Sequence, residues 1–398
     1  MRIPITGLGV VAPGAIGVDR FRELLDSGRT AIAVVDRFDT ASLRAHTAAL
    51  VRDFKARDFI APMKMRRMNL LSRYGMAAAR LAVDDRGAAL PDGAGVALGT
   101  SFGPVQTSVE YMREYVEKGA ALASPQLFAE SVANAPGSHI AIEHDLRGFN
   151  VTMTQRESSA LSAAMVAAAQ IAKGVAPAAL IGGVEEINEM VFSVLDRIGV
   201  LAHANSVVDE CARPFDRRRN GFTIGEGSAV LVAEARPSKE PYGYFAGFGV
   251  ARDTTASISD WGDDAGAVVT AMRAALDDAE IAASDIDAIY ASANATLRAD
   301  RVEARAIRAL FGDNPPPVVA TKGIFGEYAG AGSLQLAAAL LAIRDQTLHK
   351  SVGFEEIDEQ LGITPTDNRQ PTTVNYVLVN SLSAGGGIVC AVLSREAA

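Results

Sequence analysis

A layered α/β fold is predicted by two features of this sequence. Short runs of Val, Ile, Ala and Gly recur along the whole chain, and alanine-rich stretches of helical length separate them. With 398 residues, 49% hydrophobic and 21% charged, the chain has material for an ample core in one large body or two domains.

Strands are predicted at GVALGTS (95–101), AALIGGVEE (178–186), GSAVLVAEA (227–235), IDAIYASA (286–293) and GGIVCAVLS (386–394). Each is apolar enough to be covered on both faces. Helices are predicted at 18–27, 65–84, 104–118, 158–173, 265–279, 300–311 and 332–344. The helix at 158–173 carries no charge before Lys173 and almost nothing larger than Leu or Met, so it belongs in the middle of the molecule, with Gly174 as its cap. It follows the strand FNVTMT (149–154) through a tight polar turn, the layout of a nucleophile elbow. Residues 155–158 then lie at the helix N-terminus, where the dipole favours negative charge. A Pro-rich, charged stretch, EARPSKEPYGY (234–244), divides the chain into 1–236 and 237–398, each with its own strands and helices.

The formal net charge of -9 argues against nucleic acid as a partner. Two cysteines, Cys211 and Cys390, are too few for a disulfide framework and fit a reducing cytoplasm. The opening MRIPITGLGVVAPG has neither the charged start nor the long apolar stretch of a signal peptide, and no run is long enough to span a membrane. Among the histidines only His139 and His144 are close in sequence, and they read as packing and surface residues. No metal and no cofactor is expected.

ITGLGVVAPGAIGVDRFRELLDSG (5–28), YGMAAARLAVDD (74–85), DLRGFN (145–150), ALIGGVEE (179–186), ARPFDRRRNGFTIGEGSAVLVAE (212–234), EARAIRALFG (303–312) and TKGIFGEYAGAGSLQLAAAL (321–340) together carry a resemblance. In order and spacing they are similar to the β-ketoacyl synthases of the thiolase fold. The resemblance implies a five-layered α-β-α-β-α architecture built from two similar halves. Condensation in that family needs a thiolate to hold the acyl chain and two neutral imidazoles to steady the enolate formed on decarboxylation. Here the nucleophile position reads Glu157 in TQRESSA, the first histidine position Ser292 in ASANATL, and the second Glu327 in FGEYAGAG. Only the family's lysine is kept, as Lys322, and Ala384 in NSLSAGGG replaces an aromatic gate.

Within the family the chain resembles the chain-length factors, or ketosynthase beta subunits, of type II polyketide synthases, although glutamine is the commoner residue at position 157 there. What the resemblance implies is a non-catalytic subunit that heterodimerises with an active ketosynthase. Strand 149–154 would pair with its counterpart in that subunit. Pro104, Thr107 and Tyr111 would line an acyl tunnel that limits polyketide or polyene chain length. The further partner is an acyl carrier protein with a phosphopantetheine-bound chain. Alternatives are a malonyl-carrier decarboxylase and an enzyme with a carboxylate-based site. Glu157, Glu327, Lys322 and Arg156 should fall together, either as an ion cluster plugging a dead pocket or as an acid/base or metal site. Two basic runs, KMRRMNLLSR (64–73) and DRRRNG (216–221), fit a docking face for an acidic carrier or, equally, a packing helix and a structural hairpin.

Overall fold

A computed structural model describes residues 2–206 and 208–397. The first half supplies β1 (Ile3–Ala12), β2 (Gly95–Gly99), β3 (Asn150–Met153), β4 (Ala178–Glu185) and β5 (Gly227–Glu234). The second supplies β6 (Gly243–Arg252), β7 (Ala288–Tyr290), β8 (Val318–Val319), β9 (Tyr376–Leu382) and β10 (Gly387–Ser394). In space they run β3-β2-β4-β5-β1 and β8-β7-β9-β10-β6. Numbered within its own half, each set has the same order, third, second, fourth, fifth, first. The directions repeat as well. The three strands at one end are parallel (β3, β2, β4 and β8, β7, β9), and the remaining pairings are antiparallel. The two sets meet where β1 pairs antiparallel with β6, Ile3 opposite Phe245 and Ile5 opposite Gly243.

The helices of six or more residues are α1 (Val18–Ser27), α2 (Leu70–Arg86), α3 (Val105–Lys118), α4 (Pro125–Glu130), α5 (Ala135–Glu143), α6 (Ser159–Ala172), α7 (Glu189–Ile198), α8 (Ala265–Ala279), α9 (Leu297–Phe311) and α10 (Ala331–Asp345). α6 and α10 form the central layer. α6 touches β2 and β4 on one side and β10 on the other, and α10 touches β5 and β9. α2 with α5 covers the outside of the first sheet, and α8 with α9 the outside of the second. Leu161, Ala163, Ala164, Ala167 and Ile171 of α6 are all buried, as its uncharged sequence predicts.

Glycine sets the spacing of both outer layers. A Cβ on Gly9 of β1 would lie 2.0 Å from the Ala78 carbonyl of α2, and one on Gly249 of β6 would lie 2.0 Å from the Ala271 carbonyl of α8. The same Gly-x-Gly stands at both places, in TGLGVV (6–11) and AGFGVA (246–251). These glycines explain why β6 goes beyond the predicted elements, since a glycine-bearing run without a continuous apolar pattern reads as loop. β1, β8, β9, α4, α5 and α7 also go beyond them. The helix predicted from residue 65 starts at Leu70, because the Asn69 side chain accepts the Ser72 N–H and caps it there. Among the described residues no helix is long and apolar enough to cross a membrane.

Candidate functional site

The central helix brings the first site residue into place. Strand β3 ends at Met153, a 3₁₀ turn covers Arg156–Ser158, and α6 begins at Ser159. Arg156 holds φ 51, a left-handed conformation unusual for a residue with a side chain, and this turns the chain sharply into the helix. The Ser159 hydroxyl fixes the turn by donating to the Arg156 carbonyl at 2.6 Å and accepting the Gln155 N–H at 2.8 Å. Glu157 is thereby set at the helix N-terminus. Its Oε2 accepts the backbone N–H of Ala384 at 3.0 Å, so the loop after β9 reaches directly over it.

The second carboxylate arrives from the loop after β8. Gly326 has φ 78, and a Cβ there would stand 2.9 Å from the Thr223 carbonyl, so the turn before Glu327 needs glycine. Glu327 and Lys322 are both buried, and Lys322 Nζ donates to Glu327 Oε2 at 2.5 Å and to the Ser292 carbonyl at 2.7 Å. Asn294 Nδ2 donates to the same carboxylate oxygen at 3.0 Å. Glu327 Oε1 has no hydrogen-bond partner among the described residues.

The structure brings together Arg156, Glu157 and Glu327 on one cavity wall, with Lys322 bonded behind them. Of the two expected cations only Lys322 pairs: Arg156 makes no ion pair with either glutamate among the described residues. Ser292 lies beside the cluster. Its hydroxyl accepts the Leu382 N–H at 2.9 Å, and the residue that reaches Glu327 from its loop is Asn294, two positions on. Sequence reasoning missed Asn294. The position expected at Ser292 therefore falls on Asn294 instead: Asn294-Ala295-Thr296 fits a His-Gly-Thr turn, because Ala295 adopts φ 74, a left-handed conformation that glycine favours and that alanine in the sequence does not announce.

The cavity has a volume of about 200 Å³ and its walls are largely apolar: Leu195 and Ile198 from α7, then Val200, Phe222, Ile224 and Trp261. Ile198 and Ile258 sit exposed at its mouth. Burial pushes the Glu157 carboxyl up to about 7, and the Glu327 carboxylate adds to the rise, whereas the Ala384 N–H and Lys322 oppose it. Glu327 is also raised by burial, against the pull of Lys322. Behind the pair, buried Glu303 accepts from the Ser292 N–H and Asn380 Nδ2 and is raised to about 7, again by burial. Chemically the site holds two carboxyls that share a low-dielectric space with one bonded ammonium. It offers no thiolate, no imidazole and, among the described residues, no group of three metal-ligating side chains.

Pro104, Thr107 and Tyr111 are not in this cavity. Pro104 and Thr107 are buried at the start of α3, and the half-buried Tyr111 ring lies 5.5 Å from Phe128 of α4. Around them Met112, Tyr115, Val116, Leu122 and Phe128 are exposed, Val116 at 77%.

Comparison with known proteins bears on the whole chain. The family profile described as "Beta-ketoacyl synthase, N-terminal domain" matches residues 1–237, and "Beta-ketoacyl synthase, C-terminal domain" matches residues 242–355. The chain is 31% identical to the 3-oxoacyl-[acyl-carrier-protein] synthase 2 of Coxiella burnetii, covering 99% of this chain and 98% of that one. It is 31% identical to the tetracenomycin polyketide synthase ketoacyl synthase beta subunit of Streptomyces glaucescens, over 91% of this chain and 90% of that one. Among solved structures, the ishigamide ketosynthase/chain length factor superposes with a TM-score of 0.91 at 26% identity, covering 100% of this chain and 99% of that one.

Proposed function

The chain belongs to the β-ketoacyl synthase family, and from that premise we propose that it is a catalytically inactive subunit that heterodimerises with an active ketosynthase and shapes the tunnel limiting polyketide or polyene chain length. The observation that carries this reading is Glu157 at the N-terminus of α6, the place where condensation needs a thiolate. A carboxylate there cannot hold a growing chain as a thioester. Across from it, Glu327 is locked to Lys322 at 2.5 Å and repels the negative charge that an enolate develops.

Two surface features support a partner subunit. β3 ends the first sheet and pairs only with β2 among the described residues, so its outer edge is free to take a strand from another chain. Elsewhere on the surface, α3 and α4 present the exposed cluster Met112, Tyr115, Val116, Leu122 and Phe128, an apolar face of the kind that marks protein contacts. Tyr111 and Thr107 lie on the buried side of α3, where a tunnel between the subunits would end. Arg66 and Arg67, exposed and without ion-pair partners among the described residues, give an acidic carrier protein a place to dock.

The test is enzymatic. The isolated chain should neither condense malonyl-carrier with an acyl primer nor release carbon dioxide from it, while the complex with its ketosynthase does both. Carbon dioxide release by the isolated chain, abolished in Glu157→Gln, would replace this reading with a carboxylate-based decarboxylase.

A further inference from the structure

We propose that the cavity over Glu157 is a binding site for a small hydrophobic amine, whose ammonium group pairs with the Glu157 and Glu327 carboxylates. The inference goes beyond the subunit role, because it requires only residues of this chain. It starts from a charge imbalance. Two carboxyls line the cavity wall and one cation is bonded to them, Lys322 at 2.5 Å from Glu327 Oε2. Arg156, on the turn that carries Glu157, lines the cavity but pairs with neither carboxyl among the described residues. Glu303, from α9, adds a third buried carboxyl behind Lys322, and Asn294 brings only a neutral amide. Three carboxyls against one bonded ammonium leave two negative charges without a bonded cation, and they are relieved by protons, by the unpaired Arg156 guanidinium on the same wall, or by a cation brought in from outside.

The geometry favours a ligand cation. Glu327 is 2% exposed, lines the cavity, and keeps Oε1 without a partner among the described residues. Glu157 uses Oε2 on the Ala384 N–H, and among the described residues no second residue donates to its carboxyl. Both carboxyls line the one cavity, and an ammonium, with three donors, can serve the two. The rest of the wall selects an apolar body. The Phe222 and Trp261 rings stand 6.1 Å apart at 78°, flanked by Leu195, Val200 and Ile224. An apolar cavity of about 150 Å³ is known to take a benzene ring, so the space of about 200 Å³ here holds one ring with one or two methylenes.

Binding exchanges a proton for a cation and makes no covalent bond, which gives the test two readouts. Benzylamine, with benzyl alcohol and benzoate as isosteres, is titrated calorimetrically into the full chain and into its complex at pH 6 and pH 8, in two buffers of different ionisation enthalpy. We expect benzylamine to bind at least about tenfold more tightly than benzyl alcohol at pH 8, to weaken by up to about tenfold per unit as pH falls below the Glu157 value, and to release a proton on binding near pH 7. Glu157→Gln, nearly isosteric, should abolish both the preference and the proton release, and Ile258→Glu at the exposed mouth reports access without touching the core. Equal binding of benzyl alcohol, a preference that survives Glu157→Gln, or no saturable benzylamine binding overturns the proposal. None of these outcomes bears on assembly with the ketosynthase.

Discussion

Lys322 is the residue on which the buried site depends most. Replacing it with Met leaves Glu327 charged and unpaired at 2% exposure, which costs roughly 3–5 kcal/mol. Urea unfolding should show that loss for Lys322→Met and recovery of most of it in the double variant with Glu327→Gln; an unchanged single variant would mean that Glu327 is already neutral. The pH dependence follows from the same carboxyls. Burial raises Glu157, Glu186 and Glu303 to about 7 each and Glu185 to about 8, all from an ordinary 4.5. Between those limits the folded chain binds more protons than the unfolded chain, so the stability these groups contribute is complete below 4.5 and is lost as pH rises through 7 to 8. Asp216, Glu234 and Asp253 do not offset this. Burial opposes their ionisation, yet hydrogen bonds, led by Arg218, Arg86 and Thr255, hold them below their ordinary values, and they are ionised in both states above about pH 5. Buried His349, lowered to about 4, works the other way until pH passes its ordinary 6.5, so the unfolding midpoint should fall from about pH 6.5 to about pH 8, less steeply in Glu157→Gln, and a midpoint rising over that range would contradict the account. Glu157, Glu327 and Lys322 were legible in the sequence because each stands in a motif of fixed spacing. Asn294 was not, since its loop carries alanine at the left-handed position and only the observed φ of Ala295 reveals the turn.

At the scale of elements, the central helix was the most legible part, because 14 residues without a charge fit nowhere but between two sheets. β6 was hidden by the glycines that let it touch α8, a contact of tertiary origin that a local pattern cannot carry. Gly249→Ala should cost about 1–3 kcal/mol or more through a 2.0 Å clash with a backbone carbonyl, read from denaturant unfolding; a neutral effect would show that the layer can slide. α3 and α4 carry a different prediction. Val116→Asp, 77% exposed, should leave the isolated chain within about 0.5 kcal/mol of the parent and yet impair assembly with a ketosynthase. Tyr111→Ala in a reconstituted complex should lengthen the product, and unchanged length with intact assembly would remove Tyr111 from the tunnel.

The whole molecule is two copies of one strand order, third, second, fourth, fifth, first, sharing a two-helix layer. That repetition was only partly visible beforehand, in the charged stretch at 234–244; the two matching Gly-x-Gly runs stand out only once β1 and β6 are placed against their helices. What the halves enclose is a cavity with two glutamates where the family's chemistry needs a thiolate and an imidazole, and what they expose is one sheet edge and one apolar helical face. A cavity without thiolate or imidazole, together with an unpaired sheet edge, is what the proposed role of partner subunit rests on. The most direct measurement is the native mass of the chain co-expressed with the cysteine-bearing ketosynthase of its own system, with condensation activity assayed on the same fractions. A one-to-one complex, active only when both chains are present, is the predicted result, and a stable homodimer that leaves the ketosynthase free and active would contradict it.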